Sequence, residues 1–192
     1  DLPPITSDEA IDNQYIYIST PKSSNVSFTI KPIGKPASEE ITGTVSNTSP
    51  FSTTSRAVGD QLFQSPQRTA TIINDKGYII EANDVIYVSV RMISSGRGNQ
   101  ASAIVSKGLS ALGTEFRMGG FPSTNPASAH LNFVSVMATE NNTNVTFDDF
   151  TPGITINNYA GSVPFTKTLN EGESFIVSVS FDRGGTPGDL LG

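Results

Sequence analysis

The chain has 192 residues, a net charge of −6 and no cysteine. The negative net charge argues against nucleic acid as a partner, because phosphate-binding surfaces need positive charge. The lack of cysteine excludes disulfides and thiolate metal sites. Hydrophobic residues make up 36% of the chain and charged residues 16%, which favours an extracellular β-protein over a cytosolic helical enzyme. No apolar run is long enough to predict membrane insertion.

The predicted elements begin after an extended lead-in at residues 1–12. Residues 15–19 and 26–30 are rich in β-branched and aromatic side chains and are separated by a short polar stretch. This composition predicts two antiparallel strands of one hairpin. Two prolines within residues 31–36 then end the ladder, because proline donates no backbone hydrogen bond.

The strongest predicted strand lies at residues 85–92 and pairs with residues 78–81. Its alternation predicts a solvent face of Val85, Tyr87, Ser89 and Arg91 and a buried face of Ile86, Val88, Val90 and Met92. Helix is nearly absent, apart from one short turn within residues 107–112. Further short strands are predicted at residues 41–46, 61–64, 69–73, 101–105, 114–118, 154–157, 165–169 and 174–181.

A version of the first predicted hairpin recurs late in the chain. The segment Asn25-Val-Ser-Phe28 matches Asn144-Val-Thr-Phe147, which aligns residues 15–18 with 134–137. A second match sets Gly59-Asp-Gln-Leu62 against Gly172-Glu-Ser-Phe175. Two matches in the same order predict a duplicated strand unit.

The duplication predicts two units. The proline-rich stretch 119–130 is the predicted boundary between a first β unit at residues 13–121 and a second at residues 122–192. The strand pair within 78–92 has no counterpart after Phe175 in this alignment. We therefore expect the second unit to be truncated at its C-terminal end and the chain to be part of a larger protein.

These elements predict an all-β protein, an antiparallel β-sandwich built from duplicated strand units. Propeller-like blades of four short strands are the architectural alternative, although two units cannot close a ring. Each architecture buries one face of every sheet.

Three segments resemble the IgGFc-binding-type N-terminal domain, namely Ala138-Thr-Glu-Asn-Asn-Thr-Asn-Val-Thr146, Thr168-Leu-Asn-Glu-Gly-Glu173 and Leu112-Gly-Thr-Glu-Phe116. The chain is also similar, from about Asn13 onward, to the N-terminal region of secreted cell-surface adhesins of gliding flavobacteria. The segments that carry this similarity are Lys76-Gly-Tyr-Ile-Ile-Glu-Ala-Asn-Asp-Val-Ile-Tyr-Val-Ser-Val-Arg-Met92 and Ser106-Lys-Gly-Leu-Ser-Ala-Leu-Gly-Thr-Glu-Phe116.

The resemblance implies type 9 secretion, an extracellular position at the cell surface, and an adhesive role beside the remaining domains of a larger adhesin. The leading functional hypothesis is a non-enzymatic adhesin module that binds an extracellular glycan or protein. A structural spacer of a long surface filament is the alternative, and an accessory domain of a carbohydrate-active enzyme is a third reading. A catalytic triad would need His130, the only histidine, and no Gly-x-Ser-x-Gly elbow offers a nucleophile.

Four residues are the predicted ligand-binding candidates. Phe121 and Tyr159 are aromatic residues expected to be exposed beside loops, where a ring can stack on a sugar or anchor a protein contact. Glu140 and Asn141 lie in the polar loop between the two strands of the recurring motif.

The sequence predicts no cofactor, apart from one candidate site for Ca²⁺. Glu140, Asp148 and Asp149 would supply the oxygen ligands that Ca²⁺ prefers if the loop and the chain leaving its second strand converge. No spaced D-x-D-x-D-G loop is present, and solvated turns are the alternative interpretation.

Overall fold

The computed structural model describes residues 13–54, 61–93, 101–118 and 131–180. The described residues form antiparallel sheets and short 3₁₀ turns, which confirms the all-β prediction. No helix in this part of the chain has the length and apolarity to span a bilayer. The strands are β1 (Asn13–Ser19), β2 (Val26–Pro32), β3 (Ile41–Val45), β4 (Phe51–Thr54), β5 (Ile72–Ile73), β6 (Tyr78–Ala82), β7 (Tyr87–Ile93), β8 (Ala101–Val105), β9 (Leu131–Met137), β10 (Thr143–Phe147), β11 (Phe165–Leu169) and β12 (Ser174–Ser180).

The chain divides into two compact units. Unit N comprises residues 7–62 and 75–113, and unit C comprises residues 1–6, 63–74 and 114–192. The predicted boundary stretch 119–130 and the predicted lead-in 1–12 lie outside the described residues. Strand β5, which comes from the predicted first unit, pairs with β12 in unit C.

Unit N is a two-sheet sandwich. One sheet has the strand order β4-β1-β7-β8 and the other has the order β3-β2-β6. The alternation of β1 buries Ile16 and Ile18, and that of β2 buries Val26, Phe28 and Ile30. The two sheets meet where the ring of Phe28 packs at 4.8 Å from that of Phe51 on β4.

Unit C has a three-stranded sheet, β5-β12-β9, and a two-stranded sheet, β10-β11. Its core is aromatic: Phe165 on β11 lies 5.1 Å from Phe147 on β10 and 6.1 Å from Phe175 on β12, measured between ring centroids. Phe175 and Val177 lie on β12, in the three-stranded sheet, and are also buried in this core. Within each unit, the two sheets therefore bury one face against each other, as a sandwich requires.

The predicted hairpins are wrong in both copies, although their strands exist. Strand β1 pairs with β4 and β7, whereas β2 pairs with β3 and β6. Likewise β9 pairs with β12 and β10 pairs with β11. Each connection is an arch that carries the chain from one sheet to the facing sheet, because both strands contribute an apolar face to the same core. Local composition predicts strands but does not specify their partners.

The strand pairings relate the two units differently from the second sequence match, which set residues 59–62 against residues 172–175. Gln61 and Leu62 lie in a turn, and residues 59–60 are outside the described residues. Strand β7 pairs with β1 as β12 pairs with β9, and β6 pairs with β2 as β11 pairs with β10. The prediction that residues 78–81 pair with residues 85–92 is wrong, because β6 and β7 lie in different sheets. These two successive strands nevertheless have counterparts in β11 and β12, which the sequence alignment missed. The expected truncation loses that support and stays a prediction.

Several predicted strands are absent or shorter. Residues 61–64, 114–118 and 154–157 form no strand, and of residues 69–73 only Ile72 and Ile73 do so. These runs have strand-like composition, but within the described ranges they form no ladder with a neighbouring strand, and Gln64 takes part only in an isolated bridge. The predicted helical turn is confirmed as a 3₁₀ turn at Gly108–Ala111. Two further 3₁₀ turns, at Ala37–Glu39 and Pro66–Arg68, were not predicted.

Candidate functional site

The predicted ligand residues Glu140 and Asn141 lie at the exposed tip of the β9–β10 arch. The side-chain oxygen of Asn141 accepts the backbone N–H of Glu171 at 3.2 Å, and that of Asn170 accepts the N–H of Asn142 at 3.4 Å. The two amide side chains therefore tie the arch to the β11–β12 turn. This arrangement gives Asn141 a structural role and leaves the Glu140 side chain exposed.

The prediction that Tyr159 is exposed is wrong, because its ring is half-buried at 4.3 Å from the ring centroid of Phe165. Its loop is held onto the core of unit C by hydrogen bonds from Asn157 and Asn158. The N–H of Asn157 donates to the Ser178 carbonyl at 2.8 Å, and the side-chain amide of Asn158 donates to Thr69 Oγ1 at 2.8 Å. Phe121 and His130 lie outside the described residues.

The predicted convergence of Glu140 with Asp148 and Asp149 is wrong. Glu140 precedes β10 and the two aspartates follow it. Because a strand rises about 3.3 Å per residue, β10 alone separates them by about 13 Å. Among the described residues, no group of three or more histidine, aspartate or glutamate side chains could hold a metal ion.

Asp148 and Asp149 instead line a cavity of about 230 Å³ in unit C. Its lining combines carboxylates, one guanidinium and aromatic rings, and the Arg117 Nη2 atom lies 3.5 Å from Glu115 Oε1. Both partners of this ion pair are largely exposed, so it holds the cavity wall weakly. The other lining residues are Phe116, Met118, Val134, Thr146, Phe147, Phe150 and Val177. No local sequence pattern predicts this cavity, because its lining residues come from four separate parts of the chain.

A second surface lies on the outer face of the four-stranded sheet of unit N. The registers set Tyr15 opposite Arg91 and Ser19 opposite Tyr87, so these side chains and Tyr17 share one face. The side chains of Ile16 and Ile18 point the other way and are fully buried. We call Tyr15, Tyr17, Tyr87 and Arg91 the tyrosine face.

The tyrosine face is an exposed, ordered array. Tyr87 is 58% exposed and Tyr17 is 36% exposed. The rings of Tyr15 and Tyr17 are 6.1 Å apart, and the guanidinium of Arg91 stacks at 5.1 Å from the Tyr17 centroid. That contact is a cation–π interaction, which orients the guanidinium beside the rings.

The face is also locally positive in an acidic chain. Arg91 is the one charged residue among the outward positions of the four described strands, and no carboxylate accompanies it. The other outward positions are small or aliphatic: Asn13, Ser19, Ser52, Thr54, Ser89, Ile93, Ala101, Ala103 and Val105. The sequence predicted that Tyr87 and Arg91 face solvent. It missed the face itself, because the hairpin interpretation did not place β1 beside β7.

Comparison with known proteins gives one family. Residues 101–192 match the family model described as IgGFc binding protein. The matched segment begins at β8 and includes β9–β12, so the resemblance noted in the sequence is confirmed over this part of the chain. No curated protein and no solved structure matches the chain.

Proposed function

We propose that the chain is a non-enzymatic extracellular binding module that holds a protein partner on the tyrosine face. The observation that carries this proposal is the exposed array of Tyr17, Tyr87 and Arg91 on a rigid sheet. Tyrosine and arginine dominate the energetic centres of protein interfaces. A tyrosine also supplies a large contact area with few rotatable bonds, so little side-chain entropy is lost on binding.

The family match supports a binding function over a catalytic one. The matched family is described by what it binds, an immunoglobulin Fc region, and such a partner is an extracellular protein. We therefore propose an extracellular location for this chain. We further propose that the chain belongs to a cell-surface adhesin exported by the type 9 system. We also propose that the two units arose by duplication, and the strand pairings that they share support this.

The cavity of unit C supports the non-enzymatic assignment. Its carboxylates Glu115, Asp148 and Asp149 are all exposed. Catalytic groups that stabilise charge in a transition state work from sites that exclude water. An open cavity with solvated carboxylates suits a contact surface better than a reaction centre.

A protein partner fits the tyrosine face better than a glycan. The face is the outer side of a four-stranded sheet and is flanked by serine, threonine and alanine. Sites for small polar ligands are concave and carry several placed polar groups. The cavity described above includes none of the residues of the tyrosine face, whereas protein interfaces of ordinary size are formed by extended surfaces with aromatic and arginine side chains.

The proposal is tested by a binding screen followed by substitution. The purified chain is applied to arrays of extracellular proteins and of glycans, and each hit is measured by calorimetry. We expect a protein hit whose affinity falls more than about 30-fold in the double variant Tyr17→Ser/Tyr87→Ser, as for two residues at an interface centre. Arg91→Ser is expected to weaken the same complex.

The matched control is Thr44→Ala, an exposed strand residue on the other sheet of unit N. It should leave the affinity unchanged. A glycan hit that depends on the tyrosines would replace the protein partner with a carbohydrate. Arrays without any hit would overturn the binding function and favour the structural spacer.

A further inference from the structure

We propose that two copies of the chain associate edge to edge through β8, in antiparallel orientation, so that their four-stranded sheets form one continuous sheet. Strand β8 is the terminal strand of its sheet and pairs with β7 alone among the described strands. This inference concerns a second copy of the chain and does not depend on the proposed partner of the tyrosine face.

The hydrogen-bonding pattern identifies which backbone groups are open. The N–H of Ser106 donates to the carbonyl of Val88 at 2.9 Å, so the backbone of residue 106 faces β7. Backbone direction alternates along an antiparallel strand. Ser102 and Ile104 therefore face β7 as well, and the N–H and C=O groups of Ala101, Ala103 and Val105 point away from the sheet. An open edge of this kind selects an extended polypeptide as its partner.

The edge lacks the features that usually prevent strand pairing. Strand β8 has the sequence Ala-Ser-Ala-Ile-Val, without a charge or a proline. Two other edge strands carry a charge, Glu81 on β6 and Lys167 on β11, whereas the edge strands β3, β4, β5, β9 and β10 carry none. Natural edge strands commonly use such charges to repel further strands.

The side chains of β8 are exposed as well. Ala101 and Ala103 are exposed, Val105 is 58% exposed, and Leu109, which follows the strand, is 86% exposed. Alanine side chains leave room for a second strand to approach the backbone. Association would bury this apolar surface together with the open hydrogen-bonding groups.

A second copy is the partner that matches this strand. Antiparallel pairing centred on Ala103 places Ala103 opposite Ala103 of the second copy and Ala101 opposite Val105, so that a small side chain faces a larger one on each side. The three outward-pointing backbone positions of one copy then meet the same three of the other. Because β8 has no charge, this contact brings no like charges together, although the chain carries −6.

The symmetry has a functional consequence. Pairing of this kind has a two-fold axis perpendicular to the sheet, so the same patch is used on both copies. The outward side chains of β8 lie on the same face as Arg91, because Ala103 is the register partner of Arg91. The tyrosine faces of both copies would therefore lie on one side of the joined sheet, and a dimer would present two of them to a bivalent partner.

The absence of cysteine makes the register directly testable. In Ala103→Cys, the two introduced thiols lie on directly opposed residues about 5.5 Å apart between Cα atoms, within the range of about 4.4–6.8 Å that a disulfide spans. In Ala101→Cys, the two thiols are four residues out of register, about 13 Å apart. We expect mild oxidation to give a covalent dimer for Ala103→Cys and at least tenfold less for Ala101→Cys. Thr54→Cys, on the opposite edge strand β4, is the matched control and should form no covalent dimer.

A second variant tests the non-covalent dimer. Sedimentation equilibrium of the unmodified chain should show a concentration-dependent dimer, which Ala103→Lys abolishes by placing two ammonium groups opposite each other. Thr54→Lys should leave the dimer intact, and circular dichroism confirms that both variants are folded. A monomer at all concentrations, equal crosslinking at residues 101 and 103, or a dimer that survives Ala103→Lys would overturn the proposal. The binding screen with the tyrosine variants is read separately, so failure of one proposal does not decide the other.

Discussion

The two units share two strand pairings but fill their cores with different side chains. Unit N buries mainly aliphatic residues such as Ile16, Ile18 and Ile30. Unit C surrounds Phe165 with aromatic rings whose centroids lie 4.3–6.1 Å away. Unit C has fewer described strands, and larger side chains let a small sheet pair bury more area per residue. The shared pairings are therefore independent of the chemistry of the core.

The tyrosines of the two units also differ, in whether they point toward solvent or toward the core. Tyr17 and Tyr87 point outward from unit N, whereas Tyr159 of unit C packs inward against Phe165. An aromatic residue near a loop is therefore not by itself evidence of a binding surface. What distinguishes the tyrosine face is a register that aligns several aromatic side chains on the solvent side of one sheet.

The largest expected effect comes from removing a ring from the core of unit C. Phe175 is 1% exposed and contacts both Phe147 and Phe165. We expect Phe175→Ala to lower the free energy of unfolding by about 3–5 kcal/mol, through lost burial and the cavity that remains. Urea denaturation measures this cost. Hydrogen exchange should show the loss of protection in β9–β12.

The aliphatic core of unit N supplies the comparison. Ile16→Val removes one methylene group from a fully buried position and should cost about 0.5–1.5 kcal/mol. Its loss of protection should fall on the strands of unit N. If Phe175→Ala costs less than about 1 kcal/mol, the aromatic cluster is not the core of unit C.

Local patterns predicted much of the fold. The alternation of β7 correctly gave an exposed Tyr87 and Arg91 and a buried Met92, because side-chain direction depends only on the pleat of one strand. Strands β1, β2 and β11 were likewise predicted close to their observed bounds.

Long-range pairing was not predictable in the same way. The segments 15–19 and 26–30 have the composition of a hairpin, yet they join different sheets, because their partners are distant in sequence. The tyrosine face depends on β1 lying beside β7, which no local pattern encodes. Tyr159 was misjudged for the same reason, since the hydrogen bonds that fold its loop inward come from residues far away in the chain.

The arches of the two units differ in how they are held, and this gives the next prediction. Thr20 is 5% exposed and its hydroxyl donates to the Val85 carbonyl at 2.6 Å. The same hydroxyl accepts the backbone N–H of Lys22 at 3.3 Å. We expect Thr20→Val to cost about 1–2 kcal/mol, because the shape is kept and both hydrogen bonds are lost. Thermal denaturation measures the change.

Thr139 is the matched control, since it occupies the aligned position before the arch of unit C and is exposed. Thr139→Val should change stability by less than about 0.5 kcal/mol. The arch of unit C instead depends on the amide pair of Asn141 and Asn170. Equal costs for the two threonine variants would show that the arches are held in the same way.

The smallest expected effect concerns the turn between β6 and β7. The Lys22 ammonium, 2.9 Å from the Asp84 carboxylate, lowers the pKa of Asp84 below its ordinary 3.8, and the Val85 N–H adds to this. A lowered pKa means that the charged carboxylate stabilises the fold above pH 3.8 and that this contribution is lost as the pH falls through the folded-state pKa. Asp84→Asn should therefore lower the Tm slightly at pH 7, and this difference should shrink as the pH falls below 3.8. Glu171→Gln in the corresponding turn of unit C should change the Tm less. The effect is small because the pair is solvent-exposed and screened, and 1 M salt should reduce it further. A Tm difference as large at pH 2 as at pH 7 would mean that the side chain of Asp84 stabilises the turn through its shape, without the ion pair.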